Sequence, residues 1–438
     1  MSALDRITAR SQLAAGFVAP RSGDVTVAAA GLERMRRLVE ALGNPQRAYR
    51  TIHVAGSKGK GSTVAYAAAI LTATGRTAGR YTSPHLMDWR ERIAVDGVDI
   101  SEADFDRVVS YVDSTMVRLE VERPGGTPHN AIELLTAAAF VHFAEVGCEA
   151  AVIEVGIGGR FDSTNVIDSD VAVITTIEAE HLDMLGPTLR DVAWNKAGIM
   201  RAGRPCVALS QQPVVLDVLR VAAATAGTLL SDQSEDWSVM SEAGSLSVTT
   251  PSATYRNLAI ANPMPSQQIN AGAAVVAVEL AVGAAGAPMV AQVRAGLLAG
   301  TLPGRFEVVA HEPPVVLDVA HTADSIASLG DGVRIAFPGR RPVALLGMLD
   351  DKDVDAVAAA VSGWAGSVIA TTAPSPRGRS SAEIAVAVRE RDVIVLDRPD
   401  PDEAWTTARE FADGDGVIVV TGSFAIVAGI RGMLLNRE

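Results

Sequence analysis

Residues 51–74 read TIHVAG followed directly by SKGKGSTVAYAAAILTAT. The first six residues form a short apolar run with β-branched side chains, and the last dozen form an alanine-rich run long enough for a helix. Between the two lies a turn carrying Gly56, Gly59 and Gly61. The same order, a short apolar run and then a longer helical one, returns at AAVIEVG (150–156), VAVITTI (171–177) and PCVALS (205–210). Strands without polar alternation belong to a parallel sheet covered by helices on both faces. The chain is therefore predicted to be α/β, opening with a P-loop parallel-sheet domain.

From about Ser231 to Ile260 polar and apolar residues alternate among turn formers, which predicts a small antiparallel excursion, and a long helix is predicted near Gln268–Ala285. Beyond Pro303 the alternation restarts with PPVVLDVA, RPVALLGML, SVIATTA, DVIVLDR and GVIVVTGS, each followed by a helical stretch. This second series predicts a smaller, Rossmann-like α/β domain. The Gly/Pro punctuation of AGTLPGR (299–305) separates the two, giving expected domains of 1–300 and 301–438. Residues 1–45 read as a helical, arginine-bearing leader whose role the sequence does not reveal.

Length supports two domains, because 438 residues exceed the roughly 250–300 at which a single core stops growing. A formal charge of −13 argues against a general electrostatic grip on nucleic acid or on an anionic membrane face. The 48% apolar and 20% charged composition excludes disordered and fibrous classes, and with 4% aromatics the core must be aliphatic. Cys148 and Cys206 both lie in apolar stretches and read as buried, reduced thiols. The first residues carry charges where a signal peptide needs its apolar region, and the most apolar later stretch is broken by Glu279 and Pro288. A soluble cytoplasmic protein is expected, acting on small molecules as a monomer, without nucleic-acid or membrane partners.

Lysine occurs only at 58, 60, 196 and 352, and the other 34 basic residues are arginine. A lysine offers a compact ammonium that can lose its proton and react, so the few that remain are candidates for chemistry. Two of them sit in the glycine-bearing turn, His53-Val-Ala-Gly56-Ser57-Lys58-Gly59-Lys60-Gly61-Ser62-Thr63. Glycines there let backbone amides wrap a phosphate, the following helix adds its N-terminus, and Lys60 supplies the point charge. The turn departs from GxxxxGK[ST] by placing Gly61 between the lysine and the hydroxyls. ATP is the more natural ligand than a dinucleotide, since GxGxxG is absent.

Further candidates follow other strand ends. Tyr81-Thr-Ser83-Pro84-His85-Leu86, with Arg90, Glu91 and Arg92 after it, is a proline-fixed polar loop that reads equally as a plain turn or as part of a site. Glu154 ends an apolar strand, where P-loop enzymes hold Mg²⁺ and where open α/β sheets gather ligands; the other reading is a satisfied core carboxylate. Gly156, Gly158, Gly159, Arg160, Asp162, Thr164 and Asn165 make up the loop after it. His181 follows the next strand, and Lys196 lies on the helix beyond, which together suggest a metal-lined trough. In the second domain Arg305 suits a phosphate clamp or a surface ion pair, and Asp318 with His321 suits the holding of a ribose or a transferring group.

Taken in order, these motifs resemble the folylpolyglutamate synthase/dihydrofolate synthase family of the Mur ligase superfamily. HVAGSKGKGST is similar to its HVAGTNGKGS, YTSPHLMDWRERI to its TSPHL…RERI, and IEVGIGGRFDSTN to its E-G-GGR-D-TN. TTIEAEHLDMLG and NKAGIM follow, then PGRFE, LDVAHTADS, LGMLDDKDV, TAPSPR and VTGSFAIV. The resemblance implies that Gly56–Thr63, Lys60 foremost, hold the phosphates of ATP, and that Ser83, Glu154 and His181 ligate a first Mg²⁺. It implies that Lys196 is carbamylated and supports a second Mg²⁺, a role arginine cannot take. It implies nucleotide contacts from Asn270, Arg305, Asp318 and His321 with both domains closing on ATP, and a substrate side built from Pro84, His85, Arg90, Arg160, Asp162, Thr164 and Asn165. The departures are SKGKGS, Glu180-His181 in place of Asp-His, AHTADS, and the unmatched leader.

The implied activity is that of an ATP-dependent, ADP-forming acid–amino-acid ligase. The γ-phosphoryl group passes to a pterin-linked carboxylate, dihydropteroate or a reduced folate, and the amine of L-glutamate attacks the acyl phosphate. Lys60, Lys196 and His181 are the catalytic set, with His181 read as a metal ligand; no general base is evident. A related ligase for another acid or amino acid shares every nucleotide motif, and a non-ligating P-loop regulator is the reading from a different class.

Overall fold

The computed structural model describes residues 1–16, 25–123, 125–233, 235–242, 245–283 and 289–435. Residues 17–24 of the leader and the predicted helix end at Ala284–Ala285 lie outside the described residues. The chain divides into two compact units, residues 1–260 with 269–300, and residues 261–268 with 301–438.

In the first unit β1 (Arg50–Ala55), β2 (Ala78–Tyr81), β3 (Ile93–Val95), β4 (Val98–Asp99), β5 (Ala150–Glu154), β6 (Val171–Ile174), β7 (Pro205–Ala208) and β8 (Leu229–Asp232) form one sheet, in the order β4-β3-β2-β5-β1-β6-β7-β8. All neighbours from β2 to β8 pair in parallel. The hairpin of β3 and β4, which the sequence reading did not separate from the polar loop before it, adds an antiparallel edge. One face of the sheet, through Ile52, Val54, Val152 and Val173, packs on the helix Lys60–Ala73 and on Ala271–Ala281. The other face is covered by the helices Glu102–Glu122 and Ala131–Glu145 at one end and Leu189–Lys196 and Pro213–Ala226 at the other. That two-sided cover is why these strands lack polar alternation.

The expected antiparallel excursion is a three-stranded sheet of β9 (Ser238–Glu242), β10 (Ser245–Thr249) and β11 (Thr254–Leu258), whose Trp237, Leu246, Val248 and Tyr255 join the first core. The long helix spans Pro265–Val282, so it starts three residues before the predicted Gln268. Proline is tolerated in a first helical turn, where its missing N–H would have had no partner.

The second unit holds β12 (Glu307–His311), β13 (Pro314–Leu317), β14 (Arg341–Leu346), β15 (Ser367–Ala370), β16 (Ile394–Asp397) and β17 (Gly416–Thr421), in the order β12-β13-β17-β14-β15-β16. Helices follow β13 and each later strand, and β12 pairs antiparallel with β13 as an edge. Residues 261–268 pack here: Met264 joins the core beside Phe306, and the Asn262 side-chain amide donates to the Arg305 carbonyl at 3.2 Å. Among the described residues no helix is long and apolar enough to cross a membrane.

Candidate active site

The strand order brings the carboxyl ends of β2, β5, β1 and β6 side by side, with Val54 of β1 in register with Glu154 of β5. The chain crosses from one side of β1 to the other between β5 and β6, which makes this edge the topological switch point where open α/β sheets place ligands. Four loops of the sequence reading therefore meet at one sheet edge.

The turn after β1 is held open by its neighbours. Gly56 has φ of 153° with the Thr175 side chain against its backbone, and Gly59 has φ of 86° with the Asn270 side chain against it, so a Cβ at either position would collide. The Ser57 amide donates to the Thr176 carbonyl at 2.7 Å, and the Ser57 hydroxyl bridges to the backbone of Glu178. The helix starting at Lys60 has Gly59 as its N-cap and no side-chain cap, so its first amides face the turn without a competing acceptor. Thr63 spends its hydroxyl on the Gly59 carbonyl at 2.9 Å.

Three of the four lysines meet in this region, in two different ways. Lys60 Nζ donates to the carbonyls of Gly56 at 3.0 Å and Ser57 at 3.2 Å. Lys196 Nζ, arriving from 140 residues away, donates to the same Gly56 carbonyl at 2.7 Å and to Glu180 Oε1 at 3.0 Å. Lys58 instead turns outward to Glu178 at 2.8 Å, in a pair about 40% exposed. Burial, and next the charge of Lys60, lower the Lys196 pKa from 10.5 to about 8 despite the Glu180 carboxylate. Burial works to raise the Glu180 pKa, but Lys196 and Lys60 together hold it below the usual value.

Glu154 is 3% exposed and accepts the Ser83 amide at Oε2 over 2.9 Å, so these two candidate ligands are joined across β2 and β5. His181 sits next to Glu180 in the left-handed region, with φ of 48° and ψ of 40°, at the start of the turn of helix Leu182–Leu185. Its ring is exposed and makes no hydrogen bond among the described residues. A left-handed non-glycine residue beside a ligand loop is strain of the kind that functional sites retain. The structure thus joins Ser83 to Glu154, and Lys196 to Gly56 and Glu180, while His181 is placed by its backbone alone.

The intended substrate side is mostly occupied with its own architecture. The Ser83–Pro84 peptide is cis. His85 packs at a tilt of 50° against Trp89 with ring centroids 4.3 Å apart, and its Nδ1 accepts from Arg92 Nε at 2.9 Å. Arg90 is tied to Asp88, with Nη2 to Oδ2 at 2.6 Å; Glu91 accepts the amides of Leu86, Met87 and Asp88 and so cradles the loop. Buried Arg92, which the sequence reading passed over in favour of Arg90, is the arginine that fixes His85; the signal that could have found it is the i+7 spacing across a short turn. Arg160 lies over the Trp194 ring at 3.9 Å. Asn165 donates to the carbonyls of Arg160 and Gly198 and accepts from Arg201, stapling its loop to the segment that follows Lys196.

Asn270 is buried on the long helix, in contact with Gly59 as described. In the second unit Asp318 is 4% exposed and accepts the amides of Phe306 and Ala320, both at 2.8 Å. Burial raises the Asp318 pKa against the opposing charge of Arg305, whose guanidinium lies 5.2 Å from the Phe424 ring centroid. His321 Nδ1 donates to the Val319 carbonyl at 2.8 Å, which leaves Nε2 as the acceptor nitrogen.

Of the candidate metal ligands, Glu154 and Ser83 offer the oxygen donors that Mg²⁺, a small hard cation, prefers, and the Ser83 amide is bonded to Glu154; His181 offers nitrogen, and among the described residues no three His, Cys, Asp or Glu side chains gather as a metal group. Lys196 as an amine cannot add to that set, whereas a carbamate on it can.

Comparison with known proteins bears on the family and the fold. The Mur ligase middle domain matches residues 54–218 and the Mur ligase glutamate ligase domain matches residues 304–424. The dihydrofolate synthase/folylpolyglutamate synthase of Mycobacterium tuberculosis is 35% identical over 378 residues, 82% of this chain and 78% of the relative. The chain belongs to the dihydrofolate synthase/folylpolyglutamate synthase family of Mur ligases. Among solved structures, a Mycobacterium tuberculosis folylpolyglutamate synthase complexed with ADP superposes with a TM-score of 0.83 at 33% identity, covering 92% of this chain and 94% of that one. A bifunctional folylpolyglutamate synthase/dihydrofolate synthase from Yersinia pestis, complexed with AMPPNP and a Mn ion, has a TM-score of 0.79 at 30% identity, with 92% and 93% covered.

Proposed function

We propose that the chain is an ATP-dependent ligase that adds L-glutamate to dihydropteroate, to a reduced folate, or to both, through an acyl phosphate. The observation that carries this reading is the shared Gly56 carbonyl, on which the amines of Lys60 and Lys196 converge at 3.0 and 2.7 Å. The Lys60 ammonium, beside helix amides that no side chain caps, forms a site suited to a highly charged anion, with the Lys196 amine held at the same carbonyl. A triphosphate supplies that anion.

A carboxylate is a poor electrophile until it carries a leaving group, so most of the rate enhancement must come from positioning and from offsetting negative charge. Lys60 and the loop amides hold the phosphates; Ser83, Glu154 and His181 would hold Mg²⁺, which supplies charge neutralisation on the phosphate oxygens. Lys196, with its pKa near 8, keeps a substantial neutral fraction and is suited to accept CO₂ as a carbamate, a second oxygen donor. Asn270, Arg305, Asp318 and His321 are assigned to the nucleotide. Pro84, His85, Arg90, Arg160, Asp162, Thr164 and Asn165 form the acid-substrate side, several of them by shaping the loop. Residues 1–300 are read as the ATP-binding domain and 301–438 as the ligase domain, in keeping with the residues matched by the two Mur ligase domains.

The test is ADP release by the purified protein with Mg-ATP and glutamate, offered dihydropteroate or tetrahydrofolate, with products weighed by mass spectrometry. A gain of one glutamate on the first makes it a dihydrofolate synthase, on the second a folylpolyglutamate synthase, on both the bifunctional enzyme. ATP binding with no mass gain on either removes the folate reading.

A further inference from the structure

His53 lies in the middle of β1, three residues before Gly56, with no exposed surface. Its Nε2 is 2.8 Å from Thr164 Oγ1, and the Thr164 hydroxyl in turn donates to Asp162 Oδ1 at 2.5 Å. A hydroxyl has one proton, and here a carboxylate takes it, so the hydroxyl must accept from His53. His53 is thereby fixed as the Nε2–H tautomer. Its Nδ1 is buried without a hydrogen-bond partner, an uncompensated cost that packing alone does not explain.

At the far end of this chain Asp162 is fully engaged. Oδ1 also accepts the Thr164 amide at 2.9 Å, and Oδ2 accepts the Ile157 amide at 3.2 Å. Its carboxylate therefore closes the loop Gly156–Thr164 into one shape, and His53 anchors that carboxylate to the strand that carries the phosphate loop. Burial, and secondarily Arg201, hold His53 neutral, in keeping with a donor role rather than a proton carrier.

We propose that His53 is a positioning residue for the acid substrate, acting through Thr164 to hold the Asp162 loop in register with the phosphate loop. This rests on the assignment of Asp162 to the substrate side. A carboxylate held at three points presents its loop in one orientation; a carboxylate that has lost the Thr164 hydroxyl keeps its amide contacts but swings about them. The loss of the Thr164 hydroxyl should appear first in binding of the acid, because His53, Thr164 and Asp162 hydrogen-bond one another and loop amides, and the charge of Asp162, which reaches Lys196, is kept in Thr164→Val.

The experiment compares Thr164→Val, Thr164→Ser, His53→Gln and Asp162→Asn in steady-state kinetics with dihydropteroate, ATP and glutamate varied separately. Thr164→Val should raise KM for dihydropteroate about tenfold, the cost of one charge-assisted hydrogen bond, with KM for ATP and ADP affinity within about twofold of the parent. Thr164→Ser, which keeps the hydroxyl, and His53→Gln, whose amide can donate from near the Nε2 position, should restore most of that loss. Nitrogen-15 spectra of histidine-labelled protein should show, besides that of His85, a neutral Nε2–H imidazole that is absent in His53→Gln and whose signal moves on addition of dihydropteroate. If Asp162→Asn is impaired while Thr164→Val is normal, or if Thr164→Val weakens ATP and dihydropteroate equally, the positioning role is wrong and the substrate assignment stands. If Asp162→Asn itself is normal with dihydropteroate, the substrate assignment fails and takes the relay with it.

Discussion

Lys58 and Lys60 are two residues apart and chemically identical, yet the structure gives them opposite roles. Lys60 folds into the turn onto two carbonyls, while Lys58 pairs with Glu178 at the surface. Lys60→Ala should weaken ADP binding about 10- to 100-fold, the loss of one or two charge-assisted bonds, whereas Lys58→Ala should stay within about threefold because exposed pairs contribute little. Isothermal titration with Mg-ADP separates them, and equal losses would place Lys58 on the phosphates. Lys196 invites a different measurement. With its pKa near 8 roughly a quarter of the amine is neutral at pH 7.5, against about one part in a thousand for an ordinary lysine. At fixed dissolved CO₂ a carbamate signal in carbon-13 spectra should therefore grow as pH rises through about 8, and Lys196→Arg should lack it and lose about 100- to 1,000-fold in kcat while still binding ADP. A carbamate signal that survives in Lys196→Arg would put the modification elsewhere.

Elements differ in how much of their purpose is written locally. The parallel strands were legible because burial on both faces forces continuous apolar runs, and the phosphate turn was legible because glycine and lysine are rare in combination. The edge pieces β3, β4 and β12 were not, since a two- to five-residue antiparallel edge has too few positions for a period to show. Among candidate site residues, Glu154 and Lys196 stand out at a strand end and by scarcity, but the pairing of Lys196 with Gly56 and Glu180 could not be read, because a contact across 140 residues leaves no local pattern. The leader illustrates the same limit. Its helix Ala3–Gly16 is held by Arg6 and Arg10 on Asp113, at 2.6 and 2.9 Å, and by Arg10 on Glu120 and the His129 carbonyl, partners more than a hundred residues on. The Arg10 side chain is 5% exposed, and removing Asp113 takes one of its two carboxylates and the carboxylate of Arg6. Asp113→Ala should cost about 1–2 kcal/mol in urea denaturation, since Arg10 keeps Glu120, and open residues 3–12 to hydrogen exchange before the sheet. An unchanged midpoint would mean that the helix is held by Ala3 and Ile7 packing and by Arg10 on Glu120, without help from Asp113.

At the scale of the whole molecule, the buried titratable groups set how stability changes in alkali, and their signs oppose. Lys196 has its folded pKa lowered from 10.5 to about 8, so between those values the unfolded chain binds more protons and stability rises with pH. Cys148 and Cys206 are pushed by burial from 9.0 up to about 12, and Tyr255 from 10.0 to about 12, so between those values the folded chain binds more protons and stability falls. Each group contributes a slope of about 1.4 kcal/mol per pH unit inside its window. From pH 8 to 9 Lys196 acts alone among these four; above 9 the two thiols outweigh it, and above 10 the tyrosine steepens the fall. Urea denaturation in CO₂-free buffer should therefore show a stability maximum near pH 9 rather than a decline from neutrality. Cys206 sits on β7 at 0% exposure, packed in the core with β6 and the helix Pro213–Ala226, and removing its thiol leaves no charge or hydrogen bond unpaired. Cys206→Ala should lower stability at pH 8 through the lost packing but flatten the slope above pH 9 by about 1.4 kcal/mol per unit, while Lys196→Met should remove the rise between 8 and 9 and leave the fall above it intact. A parent protein whose stability drops steadily from pH 7.5, with the same slope in both variants, would show that neither the amine nor the thiols are held as deeply in the fold as their burial requires.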